Sequence, residues 1–290
     1  MHAHSTTWAL GHPTPARDDL ADCAAEPIRT PGSVQPHGQL LALDAGTREV
    51  VVFSANTSLP AARALAARLD GSRLALLADG APPVSLGVVT LEDGAFDVSA
   101  HRAGAHFIVE CEAWAAPLGT EAPIYSLTRQ CLPRLQEATS LEALAQLAAD
   151  EMKRLTGFGR CLVYRFNTAD DGQVLAEAND PGYDSYAGHH LPAPDIPPRG
   201  RALYLLNHFR LIGDANYTPV PLLATTPGLA AEAIDLSQAQ LRSVSPIHLE
   251  YMRNMGTLAS MSVSIVIGGR LWGLGSCHEH APRFIGTATG

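Results

Sequence analysis

The segment from Leu191 to Tyr204, LPAPDIPPRGRALY, restricts the fold more than any other part of the sequence. Each proline fixes its own φ angle and lacks an N–H donor, so the first half is neither a helix interior nor a central strand. One carboxylate, Asp195, and one aliphatic side chain, Ile196, lie among the prolines. Composition alone fits an ordinary connecting loop as well as a stiff loop that presents carbonyl groups to a ligand. The four prolines are Pro192, Pro194, Pro197 and Pro198.

Size and composition place the chain among globular proteins. It has 290 residues, of which 46% are hydrophobic and 17% are charged, so two domains with their own cores can form. A formal net charge of −9 without a basic stripe argues against non-specific nucleic-acid binding. The sequence contains no run of about 18 apolar residues, and it begins without a secretory signal pattern. We therefore expect a cytoplasmic protein that binds neither nucleic acid nor a membrane.

The five cysteines are scattered and form no CxxC pair, which favours a reducing cytosol over a disulfide framework or a zinc ribbon. Cys23 is distinctive because prolines and glycines follow it closely, from Pro27 to Gly38, so it lies on an irregular segment before the first strand. An exposed thiol on such an arm can react with a ligand bound elsewhere in the fold. Taken alone, an unremarkable cysteine is the simpler interpretation.

The first half of the chain predicts a mixed α+β domain of the sensor type. After an arm of residues 1–22, short apolar runs indicate strands at 39–44 and 48–56 and a helix from Pro60 to Leu69. Because this half carries no catalytic constellation, we interpret it as a scaffold. Two or three further strands are expected, around 84–90, 95–101 and 106–112.

Residues 122–157 form the clearest helical region. Thr139 and Glu142 match a T-x-x-E capping box, which predicts the start of a helix. Apolar residues then recur at three- and four-residue spacing, and this broad face predicts either burial in the core or contact with a partner helix. These residues are Leu141, Leu144, Leu147, Ala148, Met152 and Leu155.

A strand at residues 161–166, paired with one at 174–179, begins the second domain, and a long insert at 181–256 follows. Within the insert, Arg210 and Arg242 lie on apolar backgrounds. An arginine in such a place usually meets a carboxylate of its own protein or extends its guanidinium to water. Two arginines that met at one cavity would instead suit a ligand with two carboxylates.

A short helix is expected over residues 247–255, closed by Gly256. On this helix His248 shares one face with Tyr251, Met252 and Met255. A histidine on an apolar helical face is usually a satisfied core residue.

The last two strands form a hairpin whose alternation puts a row of serines on one face. Such a row suits a polar wall beside a ligand better than a packed core. The serines are Ser260, Ser262 and Ser264, and the partner strand groups Trp272, Leu274, Ser276 and His278. A metal set of Cys277, His278 and His280 is an alternative, but adjacent Cys and His do not easily share one tetrahedral ion, so we predict no metal site.

Together these motifs resemble those of the bacterial phytochromes. The resemblance rests on Cys23 with the E-P-I, P-G and Q-P-H-G that follow it, on LPAPDIP, on SPIHLEYMRNMG and on the Cys-His pair at 277–278. It extends from Asp22 to Ile285. It implies a PAS domain at 23–120 and a GAF domain at 121–290, each with a central antiparallel sheet flanked by helices. It also implies that the N-terminal arm is threaded through the GAF insert.

The resemblance implies a red/far-red photoreceptor module that holds biliverdin IXα, a linear tetrapyrrole, through a thioether to Cys23. Light would isomerise the bilin between its C and D rings and signal to an output domain. Arg210 and Arg242 would then bind propionates, His248 would lie beside the pyrrole nitrogens, and His278 would bond the D-ring carbonyl. The other implied chromophore contacts are Tyr164, Leu191, Asp195, Ile196, Pro197, Tyr204, Ser245, Tyr251, Ser260 and Ser262.

The chain departs from the family pattern at several positions. Pro194 replaces a serine, Leu191 replaces a phenylalanine or tyrosine in the D-ring pocket, and Gly275 and Glu279 replace bulkier or histidine-type residues near His278. Because the sequence ends soon after PRFI, we expect the last GAF helix, a PHY domain and any histidine kinase output to be missing from it. Dimerisation through the GAF helices is a further expectation.

A second interpretation is a non-photic GAF-type module that binds a cyclic nucleotide or another small anion through Arg210 and Arg242, with Cys23 incidental. A nucleotide-binding GAF domain has no reason to carry the cysteine motif, and this favours the photoreceptor. We predict no enzymatic turnover beyond self-attachment of the bilin, because the sequence contains no nucleophile–base pair, P-loop or kinase motif.

Overall fold

The computed structural model describes residues 26–92, 94–114, 124–168, 171–191 and 198–285. Within these ranges no helix is both long and apolar enough to cross a membrane. The first half contains β1 (Ser33–Val34), β2 (Gly38–Asp44), β3 (Val50–Ser54), α1 (Leu59–Ala66), α2 (Gly71–Ala75), β4 (Val84–Leu91), β5 (Gly94–Ala103) and β6 (His106–Ala113).

The second half begins with two helices and continues into a sheet with a long insert. Its elements are α3 (Ile124–Gln136), α4 (Leu141–Thr156), β7 (Arg160–Phe166), β8 (Gly172–Asn179), β9 (His190–Leu191), α5 (Pro198–Leu206), β10 (Phe209–Ile212), β11 (Val220–Ala224), a 3₁₀ turn (Ala231–Ala233), α6 (Pro246–Asn254), β12 (Ala259–Ile267) and β13 (Arg270–Glu279). The domain boundary expected at residue 120 lies outside the described residues and stays a prediction.

Two antiparallel sheets organise these elements, which confirms the expected α+β class. The first sheet has the order β1-β11-β3-β2-β6-β5-β4, and the second has the order β10-β12-β13-β7-β8-β9. Strand β11 belongs to the insert of the second half, yet it completes the first sheet. The two halves are therefore joined by backbone hydrogen bonds as well as by side-chain packing.

Strand β2 is apolar from Leu40 to Leu43, where both of its faces are covered. On one face Leu41 packs in a core with Leu65 of α1. On the other face Leu40 packs against Leu236 and Leu241 of the insert. A strand buried on both sides needs a continuous apolar run rather than alternation, and the sequence of β2 satisfies this need.

The segment before β2 passes between two parts of the insert. Strand β1 pairs with β11 on one side. On the other side the N–H of Gln35 donates to the carbonyl of Leu241 at 2.7 Å, and the N–H of Ser243 donates to the carbonyl of Ser33 at 3.1 Å. The chain thus lies inside the insert, as the threaded arrangement requires.

Helix α4 begins with a different cap from the one that the sequence predicted. Its N-cap is Ser140, whose Oγ accepts the N–H of Ala143 at 3.1 Å. The assignment of the cap to Thr139 was wrong. Thr139 and Ser140 both carry a hydroxyl that can cap a helix, so their side chains do not distinguish them. The backbone decides, because the extended conformation of an N-cap occurs at Ser140.

The face of α4 that packs on the sheet is also narrower than expected. Ala145 and Ala149 are buried against Val163 and Ala176 of the sheet, whereas Leu144 is 41% exposed. Alanines at the contact let the helix approach the strands closely. The leucines of the predicted face that flank this contact and remain exposed are Leu141, Leu144 and Leu155.

Glu110 of β6 is a buried carboxyl at the junction of the two halves. Its Oε1 accepts the N–H of Leu241 at 2.6 Å, and its Oε2 has no hydrogen-bond partner among the described residues. Burial raises the pKa of this carboxyl to about 7, although the N–H groups of Leu241 and Gln240 act in the opposite direction. Near neutral pH the group is therefore poised between its neutral and charged forms.

We predict that Glu110→Gln makes the protein more stable relative to wild type as the pH rises. The pKa of Glu110 is raised above its ordinary value of 4.5 by folding, so its contribution is complete below that pH and is lost as the pH rises through about 7. Between about pH 5 and pH 8, the difference in unfolding free energy should grow by on the order of 2–3 kcal/mol. Urea unfolding at both pH values measures it, with the exposed Glu49→Gln as control. A difference that does not change with pH would contradict the prediction.

Candidate functional site

One face of the second sheet is a packed core. Cys161 of β7 lies opposite Cys277 of β13, and the two buried sulfur atoms are 3.0 Å apart. They pack with Phe158 and with Met152 of α4. Because neighbours along a strand point to opposite faces, Cys277 points away from His278, so these two residues cannot hold one metal ion.

The opposite face of the same strands is polar. Across β12 and β13, Ser260 lies opposite His278 and Ser262 lies opposite Ser276, and Arg210 of β10 lies opposite Ser262 from the other side. Ser260 and Ser262 are buried, and neither hydroxyl has a hydrogen-bond partner among the described residues. Buried hydroxyls are normally satisfied, so these two are suited to bind polar atoms of a ligand.

Aromatic side chains close one end of this polar face. Tyr164 of β7 is buried beside Leu274, with Tyr204 of α5 packed against them. The ring of Tyr164 meets that of Phe166 edge to face, with centroids 5.8 Å apart. Helix α5 is fixed across the sheet because the hydroxyl of Ser264 donates to the carbonyl of Tyr204 at 2.7 Å.

Helix α6 brings His248 and Tyr251 to the site. Ser245 is its N-cap, with Oγ accepting the N–H of His248, and Gly256 follows the helix with φ of 67°. The rings of His248 and Tyr251 stack with centroids 6.3 Å apart. Burial and the nearby charge of Arg210 lower the pKa of His248 to about 4, so the imidazole is neutral at pH 7.

His248 differs from a satisfied core histidine. It is half-buried, and neither ring nitrogen has a hydrogen-bond partner within the described part of the chain. The interpretation as an ordinary core residue requires such a partner. The imidazole is instead available to a ligand.

Arg210 and Arg242 are brought together, but their guanidinium groups have different surroundings. Nη1 of Arg210 donates to the carbonyls of Gln240 at 2.8 Å and Ala239 at 3.4 Å, and Nη2 donates to the carbonyl of Arg242. Nη1 of Arg242 donates to the carbonyl of Ile28 at 2.7 Å. Three donors of Arg210 thus hold the backbone, whereas Arg242 uses one.

Arg242 retains an unsatisfied donor. Its Nε–H is buried and has no partner among the described residues. Burial, followed by the nearby charge of Arg210, lowers the pKa of Arg242 to about 9. An anion placed beside Nε would satisfy this donor and offset the repulsion between the two cations.

Arg160, the first residue of β7, is a residue of the polar face that no motif in the sequence indicated. It lies opposite His278 of β13, and its Nε and Nη2 donate to Nδ1 of His278 at 3.2 Å and 3.0 Å. Nε2 of His278 lies 3.0 Å from Oγ of Ser276. A charged residue at the start of an apolar strand was the only available signal, because these partners are 118 residues apart.

Part of the predicted site cannot be placed. Cys23, Asp195, Ile196 and Pro197 lie outside the described residues. The backbone of Leu191 ends β9 opposite Gly172. A short helix, α5, follows the prolines.

We predict that Arg210→Met costs more stability than Arg242→Met. Replacing Arg210 leaves several backbone carbonyls unsatisfied at a buried position, which costs about 3 kcal/mol or more. Replacing Arg242 removes one such bond and also removes an unpartnered buried donor, so the cost is about 1 kcal/mol or less. Urea unfolding of the ligand-free protein measures both values. Equal losses would show that the carbonyl contacts of Arg210 contribute little.

Comparisons with known proteins agree with this architecture. The GAF domain model matches residues 140–288, and the PAS fold model matches residues 23–65. The chain is 38% identical to cyanobacterial phytochrome B of Nostoc sp. over 289 residues, covering 93% of this chain and 38% of that protein. It is 37% identical to the bacteriophytochrome of Pseudomonas aeruginosa over 279 residues, covering 92% and 38%. The chain thus spans about two fifths of these relatives.

Solved structures give the same result. A chromophore-binding domain of a Stigmatella aurantiaca bacteriophytochrome superposes with a TM-score of 0.80 at 37% identity, covering 92% of this chain and 94% of that one. The chromophore-binding domain of an unusual bacteriophytochrome from R. palustris gives 0.79 at 39% identity, covering 92% of each chain. The chain belongs to the bacterial phytochromes, a family of photoreceptors, and it corresponds to their PAS–GAF module.

Proposed function

We propose that this chain is the bilin-binding and light-sensing part of a longer photoreceptor. Its chromophore is biliverdin IXα, held by a thioether to Cys23, and it responds to red and far-red light. The observation that carries the proposal is the buried Nε–H of Arg242, which has no partner among the described residues. Arg242 lies near Arg210, whose strand pairs with the serine-bearing strand of the polar face, in a fold shared with chromophore-binding domains.

The donors of this face fit a ligand with two carboxylates. Arg242 keeps four of its five N–H donors, enough for a bidentate bond to one propionate. Ser260 and Ser262 present buried hydroxyls to the second propionate. Arg210 keeps two donors and holds the carbonyls of the segment that carries Arg242, so it supports the same carboxylate from behind.

The remaining residues fit the conjugated part of a bilin. The neutral imidazole of His248 can face the pyrrole nitrogens, and His278 can donate to the carbonyl of the terminal D ring. Tyr164 and Tyr204 form an aromatic wall, while Tyr251 orients His248 by ring stacking. The further contacts that we propose are Leu191, Asp195, Ile196, Pro197 and the capping residue Ser245.

A bound bilin supplies light absorption and an isomerisable bridge between its C and D rings. The protein's part is to hold the propionate end while the hydrogen bonds of Asp195, His248 and His278 respond to the D ring. A change in these bonds biases a two-state element and so passes the signal to an output domain. We further propose that attachment needs no other enzyme, that the protein acts in the cytoplasm, and that GAF helices pair two copies.

We predict that the purified chain mixed with biliverdin develops a far-red absorption band and retains the bilin on a denaturing gel. Cys23→Ser should keep the band but lose the covalent retention, since the thiolate is the nucleophile. Cys131→Ser, on α3 and away from the polar face, is the matched control. Retention in Cys23→Ser would refute the attachment site. Absence of any band, together with saturable binding of a cyclic nucleotide, would favour the non-photic alternative.

We predict that Arg242→Met weakens biliverdin binding by about tenfold or more, because a charge-assisted bidentate bond is lost. Arg165→Met, which changes an arginine of β7 bonded to Gln173, should leave the affinity unchanged. Titration of visible absorbance with the ligand gives both constants. Equal affinities in the two variants would exclude Arg242 from the propionate contact.

A further inference from the structure

Arg160 is a buried cation bonded to a histidine rather than to a carboxylate. Its side chain is 2% exposed, and it forms no ion pair within the described part of the chain. Two of its nitrogens donate to Nδ1 of His278, and Nη1 donates to the carbonyl of Asp184 at 3.3 Å. A cation that is costly to bury is therefore directed at one imidazole nitrogen.

Two tyrosines hold the guanidinium in place. Its central carbon lies 4.1 Å from the ring centroid of Tyr186 and 5.6 Å from that of Tyr183. The hydroxyl of Tyr183 donates to Oε1 of Glu279 at 2.6 Å, and the N–H of Gly159 donates to Oε2 at 3.0 Å. Cation–π contacts thus orient Arg160, and Glu279 fixes one of the two rings.

The geometry determines which nitrogen of His278 carries the proton. A guanidinium has five N–H donors and no acceptor, so the nitrogen that faces it must present a lone pair. The proton of the neutral ring is then on Nε2, where Oγ of Ser276 lies 3.0 Å away. We propose that Arg160 is a positioning residue that fixes His278 as the Nε2–H tautomer, and so keeps a donor rather than an acceptor on the ring nitrogen that lies beside Ser276 on the polar face.

This inference deepens the proposed function, on which it rests only for the identity of the acceptor, a carbonyl oxygen of the bilin. The tautomer follows from protein atoms alone. Without the arginine, either nitrogen of a neutral imidazole can carry the proton. In the Nδ1–H form, Nε2 would be an acceptor and could not donate to a carbonyl oxygen.

The charged groups around His278 all favour a neutral ring. Burial is the largest cause that lowers its pKa, to about 3, followed by Arg160 from β7, His248 from α6 and His280 from its own strand. Two serine hydroxyls are polar neighbours of the ring: Ser276 on the same strand, 3.0 Å from Nε2, and Ser260 opposite His278 on β12. Above about pH 3 the ring is neutral, so the donor persists through the physiological range.

Nitrogen-15 NMR of the histidine-labelled chain tests the proposal, first without and then with biliverdin. The shifts of Nδ1 and Nε2 report the tautomer directly, and the His278→Gln spectrum assigns them. We expect a single Nε2–H form in wild type. In Arg160→Leu the preference should fall by about tenfold or more, since a charge-assisted bond is lost, and Arg160→Lys should restore most of it. Arg165→Leu, on the same strand, should match wild type.

The ligand-free spectrum separates this inference from the proposed function, because it needs no bilin. An Nδ1–H form in the wild-type chain would overturn the role of Arg160 even if every variant failed to fold. An unchanged tautomer in Arg160→Leu, or an equal change in Arg165→Leu, would also overturn it. A wild-type Nε2–H form with no binding of biliverdin would sustain the role of Arg160 and reject the proposed chromophore.

Discussion

The backbone of residues 239–242 is held from both halves of the molecule at once, and the site depends on this. Arg210 of the second sheet donates to its carbonyls, while Glu110 of the first sheet accepts the N–H of Leu241. The N–H of Gln35 adds a bond to the carbonyl of Leu241 at 2.7 Å. These groups are buried, so each carbonyl or N–H left without its partner would carry a desolvation cost. These hydrogen bonds therefore set where Arg242 lies relative to the strands of the second sheet.

The two faces of the second sheet differ: one is packed as a core, and the other carries polar side chains. Small and apolar side chains, such as Ala149 and Cys277, pack on the side of α4. Hydroxyls, imidazoles and guanidinium groups occupy the other side, where two buried hydroxyls, those of Ser260 and Ser262, have no partner among the described residues. The same period of two that builds the core thus builds the site, because a strand sends alternate residues to opposite faces.

No carboxylate among the described residues raises the pKa of His248 or His278, and this sets the electrostatics of the polar face. Burial and the arginines hold the pKa values of His248 and His278 well below 7, so both act as neutral hydrogen-bonding groups rather than as charges. Arginine supplies the positive charge, and it does so at fixed positions. Arg160 holds an imidazole, whereas Arg242 holds the carbonyl of Ile28 and keeps a buried Nε–H without a partner among the described residues.

The sequence alone determined strands β2 to β8, β12 and β13, the serine row and the shared face of His248 and Tyr251 on α6, because each depends on local periodicity. It did not predict β1, β9, β10 or β11, whose pairing partners are distant in the chain. It also determined the family, through motifs at Cys23, Asp195 and His248. Only the folded structure decided four other features: the cap of α4 at Ser140, the exposure of Leu144, the hydrogen bonds from Arg210 to backbone carbonyls, and the bond from Arg160 to His278. The cap depends on the backbone conformation at Ser140, and each of the others depends on which distant segment packs nearby, a partner of which a local pattern carries no record. Periodicity fixes the direction in which a side chain points, whereas the fold fixes what it meets.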